Sequence, residues 1–237
     1  MDALTGVGGT GDAGPLPPPH HGALARAYAG ITATVDGLDD RDMLRATRCR
    51  GWVVADLLVH LTGDARRALV ALATPTAGPG DTDAVSYWRG FTGPDDGRHA
   101  WWVRRSASAF DRPTGTVASW TETASAAVRA AHRADPRGFV ATQGHVLSVL
   151  DFLATLVTEA VVHHLDLAVE LPDAPVPDQA AVDVAVGTVD GLLSDEAVRP
   201  TDWSDLDYLL KATGRLSLTE HDRTALGEAA GWFPLLG

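Results

Sequence analysis

The chain has 237 residues and a formal charge of −12, with 45 % apolar and 21 % charged residues. The acidity argues against a basic face for nucleic acid, and the single cysteine, Cys49, excludes an internal disulfide or a cysteine-built zinc ribbon. No apolar run reaches the roughly 20 residues of a membrane span, so the expectation is a globular protein of the reducing cytoplasm with neither nucleic acid nor membrane as partner.

Residues 1–21 are rich in Gly and Pro and lack the basic and apolar regions of a secretory signal. They are expected to form a disordered tail that includes His20 and His21. Residues 22–38 have helical spacing of apolar positions. A long helix is expected over about 53–73, with Val53, Leu57, His60, Leu61 and Leu69 on one face and Arg66-Arg67 on the wet side. Pro and Gly make 74–83 a loop. The stretch "YWRGFTGPDDG" reads as irregular, "HAWWVRRSASAFD" as a helix, and 116–135 as a further helix closed by Pro136. The β-branched segment 137–149, broken by Gly144, suits a short extended pair. A helix over about 149–170 follows, then the linker "LPDAPVP". Helices are expected over 178–195, 204–214 and 219–229, N-capped by Asp178, Ser204 and Thr219, with Gly214 at a C-terminal end. The fold class is therefore all-α. The four long helices within 22–172 form a bundle, and 176–237 is a helical extension packed on it.

The chemistry concentrates in "LVTEAVVHHLDLA", residues 156–168. Residues four apart share a helix face, so Glu159 and His163 project together beside Leu156, Ala160 and Leu167. An ionised Glu on such a face costs several kcal/mol to bury unless it is paired or metal-bound. His60 lies in the apolar string "LLVHL" of another long helix. It is either a satisfied core histidine or the third arm of a metal set of two His and one Glu with an open position. Periodicity alone leaves both readings open.

"RGWVVADLLVHLTGD" and "TEAVVHHLDLA" together resemble the two signatures of the mycothiol-dependent maleylpyruvate isomerase N-terminal domain family, a branch of the DinB-like superfamily. The resemblance runs from about residue 22 to 170. It implies a DinB-like four-helix bundle holding a divalent metal, usually zinc, on His60, Glu159 and His163. It also implies a low-molecular-weight thiol, mycothiol-like, as cosubstrate, and a small electrophile as partner. Two departures stand out: Ala55 occupies a position that is commonly basic in the family, and the C-terminal part is short, with Arg215 the candidate for the family's C-terminal arginine.

The remaining polar residues carry two readings each. Asp56, four before His60, either orients that imidazole or is a first-turn acid. Asp166, three after His163, is either an orienting group or part of a cap network. His145 and His164 are possible contacts to substrate or thiol, with His164 about 100° round the helix from His163. Trp52 is expected as a core anchor, and Trp88, Trp101 and Trp102 as a pocket wall or packing. Cys49 is expected to be an inert thiol. The resulting expectation is a metal-dependent thiol isomerase or S-transferase, monomeric or homodimeric. The alternatives are a metal-dependent hydrolase with Asp166 as base, and a non-catalytic metal-binding bundle.

Overall fold

A computed structural model describes residues 19–90, 97–194 and 197–236. Most of the expected N-terminal tail lies outside these residues, but its last three positions do not: the first helix, α1, spans Pro19–Val35 and takes in His20 and His21. Proline is well placed there, since the first helical N–H has no partner to lose.

The chain continues through α2 (Val54–Ala73), β1 (Pro75–Thr76), α3 (Ala84–Arg89), α4 (Arg98–Ala107) and α5 (Gly115–Arg133). A hairpin of β2 (Phe139–Thr142) and β3 (His145–Ser148) leads into α6 (Val149–Leu167), which ends in a 3-10 turn over Ala168–Glu170. The C-terminal part holds α7 (Gln179–Leu193), α8 (Asp205–Ala212), α9 (Glu220–Leu226) and a closing 3-10 segment over Gly227–Trp232. The small sheet is antiparallel in the order β1-β2-β3, with Val140 opposite both Pro75 and Leu147.

The helix starts follow the expected caps. Asp178, Ser204 and Thr219 each accept a backbone N–H of the first turn of α7, α8 and α9. Ser148 does the same for α6, accepting Asp151 N at 3.0 Å. Two local expectations fail. Pro75–Thr76, read as part of a loop over 74–83, form β1 by pairing with Val140 and Phe139 of β2. Tyr87–Arg89, read as irregular, belong to α3, because Asp83 caps it by accepting Val85 N at 2.9 Å and Ser86 N at 2.7 Å. The capping aspartate was hidden at the end of a Pro- and Gly-rich loop.

Helices α1, α2, α5 and α6 form the bundle. Helices α2 and α5 pack together, as do α1 and α6, and the remaining sides of the square are α1 with α5 and α2 with α6. Leu24, Ile31, Leu57, Leu61, Trp120, Phe152 and Leu156 fill the interior, all under 2 % exposed. The Trp120 indole N–H donates to Thr32 Oγ1 at 2.9 Å, so the largest core side chain is satisfied. Helix α7 covers α1 and α6, and α8 packs on α7. The apolar cluster continues without a break from the bundle into Val182, Val189, Tyr208 and Leu226. In this extension Lys211 Nζ reaches Asp222 Oδ1 at 2.8 Å, and the Trp203 indole donates to the same oxygen at 2.7 Å.

Helix α6 with its 3-10 end is long and apolar enough to cross a membrane by composition alone, yet 83 % of that stretch is buried inside the protein. It is the central core helix. Its polar residues therefore sit where they must be satisfied by protein or ligand.

Gly30 marks a close approach of α1 to α6. A Cβ there would stand 2.9 Å from Cε1 and 3.1 Å from Nδ1 of His164. Alanine in a helix interior normally stabilises; here overpacking outweighs the propensity. Gly30→Ala is expected to lose about 1–3 kcal/mol, read from denaturant midpoints, and a gain in stability would refute the close packing.

Candidate metal centre

The adjacent helices α2 and α6 bring His60, Glu159 and His163 together. His60 Nε2 lies 3.0 Å from Glu159 Oε1, and His163 Nε2 lies 3.4 Å from the same oxygen. The two imidazole rings stand edge to face, with centroids 4.8 Å apart. Each ring turns its other nitrogen outward to a partner. His163 Nδ1 donates to Asp166 Oδ2 at 2.9 Å, and His60 Nδ1 sits 3.2 Å from Nε2 of His99 on α4. Both Nε2 atoms thus aim at one point, oriented from behind, as in metal-binding histidines.

The donor set fits a divalent ion. Bonds of about 2.0–2.1 Å in a tetrahedral shell give donor–donor edges of about 3.3 Å, and the two measured edges are 3.0 and 3.4 Å. Burial pushes the Glu159 carboxyl up; the charge of His163 and hydrogen bonds from His163 and His60 outweigh it and hold the group well below its ordinary range. For His163, burial lowers the imidazole, but Glu159 and then Asp166 raise it well above its ordinary value. The carboxylate charge is matched here by the proton on His163, which an incoming cation would displace.

The Asp166 side chain is fully buried and works through three neighbours. Beyond His163, it takes Nε of Arg215 at 3.2 Å on Oδ1 and Nη2 at 3.0 Å on Oδ2, and Cys49 Sγ lies 3.3 Å from Oδ2. Burial raises its carboxyl, yet His163 and Arg215 bring it down to about 2. Cys49, His163 and Asp166 also bring three ligand-type atoms together. The Arg215 fork already neutralises that carboxylate, so this second set acts as a hydrogen-bonded brace.

The three convergent residues form the floor of a cavity of about 380 Å³. Trp52, Trp88 and Val162 give it apolar walls, while Arg50, Arg215 and Cys49 add polar groups to the lining.

The family model of the mycothiol maleylpyruvate isomerase N-terminal domain matches residues 24–168. The chain belongs to this family. No curated protein and no solved structure gives a match. The matched region holds His60, Glu159, His163 and Asp166; Arg215 and Leu236, which also line the cavity, come from beyond it. The helical bundle agrees with the family's DinB-like all-α class.

Within this family frame several expected contacts fall elsewhere. Asp56 does not orient His60. As the third residue of α2 it accepts the Val53 backbone N–H at 3.1 Å and serves as a cap. Besides Glu159, the carboxylate that approaches His60 is Asp64, with Oδ2 3.5 Å from Nε2. His145 is exposed on β3, 3.4 Å from Asp81, and is not part of the cavity lining. Val149 to Glu159 spans about 15 Å of helix, which separates the hairpin from the site. His164 lies in the core and is not among the residues lining the cavity: 1 % exposed, it faces α1 and pairs through Nε2 with Thr34 Oγ1 at 2.8 Å. Arg215 lines the cavity but spends its guanidinium on Asp166 and on the Thr213 carbonyl. Trp88 and Trp52 line the cavity, Trp52 also packing against the core. Trp101 and Trp102 are half-exposed on α4, with Trp102 stacked on His99. Cys49 and His99, neither anticipated at the site, both border it.

His164 sets an acid limit on the fold. Burial lowers its imidazole to about 4. Between pH 6.5 and 4 the unfolded chain binds a proton that the folded chain refuses, so stability falls as pH drops through this window, by about 3 kcal/mol in full. A His164→Gln protein is expected to lose this part of the pH dependence in urea melts; an unchanged slope would contradict it.

Proposed function

We propose that the chain is a metal-dependent thiol enzyme, an isomerase or S-transferase that joins a mycothiol-like cosubstrate to a small electrophile. The observation that carries this reading is the convergence of both Nε2 atoms on Glu159 Oε1 at the floor of an apolar-walled cavity. His60, Glu159 and His163 would hold the ion, zinc by its fit to two nitrogens and one oxygen. When bound, a divalent ion supplies the Lewis acidity that keeps a coordinated thiol ionised near neutral pH.

The protein's own residues do the rest. Asp166 and His99 fix the imidazole orientations. Trp52, Trp88 and Val162 keep water away from the sulfur and hold the electrophile against it. Arg50 and Arg215 place positive charge beside the cavity, where negative charge develops as the thiolate adds. In isomerisation the sulfur pair forms a C–S bond, the π pair moves to the acceptor group, the former double bond rotates, and return of the pair expels the thiolate. In transfer, the leaving group departs with its own electron pair and the C–S bond stays.

Two features bear on the alternatives. A hydrolase needs a base facing the open position, and Asp166 is buried and committed to His163 and Arg215. Ala55, where the family commonly has a basic residue, is 4 % exposed in the core, and Arg50 brings a cation to the cavity instead. The test is elemental analysis followed by a thiol-depletion screen of electrophiles. One ion per chain and electrophile-dependent loss of thiol are expected, both absent in His60→Ala. Full metal content in His60→Ala, or no thiol affinity by calorimetry, would reject the reading.

A further inference from the structure

Asp64 is a buried acid that the scheme above leaves without a task. It sits four residues after His60 on the same face of α2 and is 6 % exposed. Its Oδ1 is paired with Arg67 Nη1 at 3.1 Å. Its Oδ2 is wholly buried and accepts no hydrogen bond from any described residue. That oxygen stands 3.5 Å from Nε2 of His60, the same nitrogen that faces Glu159. A buried carboxylate oxygen without a donor is costly, and a nearby cation is the usual remedy.

We infer that Asp64 is a fourth protein ligand of the centre, entering through Oδ2 from the side away from the cavity. The inference rests on the metal reading of His60, Glu159 and His163. Those three residues line the cavity and Asp64 does not, so the exchangeable position faces the cavity and Asp64 closes the back. The two helices then contribute matched pairs: His60 with Asp64 on α2, and Glu159 with His163 on α6, each at a spacing of four. Facing pairs of carboxylate and histidine are how bundle interiors hold divalent ions. Arg67 retains Oδ1, which leaves a single oxygen for the ion. Oδ2 stands outside the tight three-residue cluster, so ligation would require the carboxylate to move toward the other three donors.

The donor set becomes two nitrogens and two oxygens. A cavity-facing position then persists only in a shell of five or more. Zinc reaches five in some catalytic sites, and ions with octahedral preference do so by default.

The decisive comparison is Zn²⁺ and Co²⁺ titration of wild type, Asp64→Asn and His60→Ala, with the visible bands of the Co²⁺ proteins recorded. Asp64→Asn is expected to bind at least about tenfold more weakly and to shift the Co²⁺ bands, because the shell loses a charged donor. Unchanged affinity and bands in Asp64→Asn, with binding lost in His60→Ala, would overturn this inference and leave the three-residue reading standing. Wild-type affinity in His60→Ala would overturn both. A zinc-loaded crystal structure of the wild type gives an answer independent of how the variant folds. Oδ2 at about 2.0–2.2 Å from the ion supports the fourth ligand, and Oδ2 held only by water or protein donors rejects it.

Discussion

Glu159→Gln is expected to bind Zn²⁺ at least about a hundredfold more weakly than the wild type while keeping the fold. Glutamine preserves the shape and the hydrogen-bonding oxygen but removes the charge on which both imidazoles converge, at 3.0 and 3.4 Å. The carboxylate is held ionised well below its ordinary range, because the imidazoles overcome the effect of burial. His163 is the mirror image, held well above its ordinary value with Glu159 the foremost raising influence. Below that raised value the imidazole carries a proton that an incoming ion must displace, and above it the nitrogen is available. Wild-type affinity should therefore climb with pH, with proton release visible in calorimetry across buffers of different ionisation enthalpy. In Glu159→Gln the main raising influence on His163 is gone, so the residual binding should depend less on pH. Equal affinity and equal proton release in the two proteins would remove Glu159 from the ligand set.

The part of this site that was legible in the sequence is the part that obeys helical arithmetic. Glu159 and His163 share a face by their spacing, Asp166 follows three residues later, and His60 sits in an apolar string that predicts its burial. The long helices and the hairpin over 137–149 follow from the same periodicities. Capping competes with that arithmetic. Asp56 has the spacing to brace His60, but a third-position acid at a helix start is claimed by the N-cap N–H, and the true neighbour is Asp64, one turn on the other side. Residues brought by loops and short helices carry no periodic signal. Cys49 precedes α2, His99 opens α4, and Arg215 follows α8, and only the tertiary fold sets them around His163 and His60. His164 shows the limit in the other direction: its spacing placed it off the metal face, but its pairing with Thr34 of α1 required knowing which helix packs there.

Asp166→Ala should damage stability and metal affinity together, although its side chain is not one of the three ligands. The side chain has no exposure and joins α6 to two otherwise separate segments: the Cys49 loop and Arg215 of the C-terminal extension. Its removal leaves the Arg215 guanidinium beside Cys49 and His163 without its counter-charge, a loss of about 3–5 kcal/mol for a broken buried pair. The His163 ring also loses the acceptor that fixes its Nδ1, which for bracing groups of this kind costs about 10–100-fold in metal affinity. The acid dependence supplies an independent check. The Asp166 carboxyl titrates near 2 in the fold, against 3.8 for an ordinary aspartate. A depressed carboxyl contributes stability above its unfolded value and loses it as pH falls through the folded one. The wild type should therefore lose about 2 kcal/mol between roughly pH 4 and 2 that Asp166→Asn lacks. Arg215→Ala separates the two roles. Asp166 then keeps His163 as its partner but loses its fixed fork, so metal affinity should fall by a smaller factor than in Asp166→Ala. If Arg215→Ala leaves affinity untouched, the brace ends at Asp166, and the C-terminal extension contributes to the cavity without holding the metal ligands.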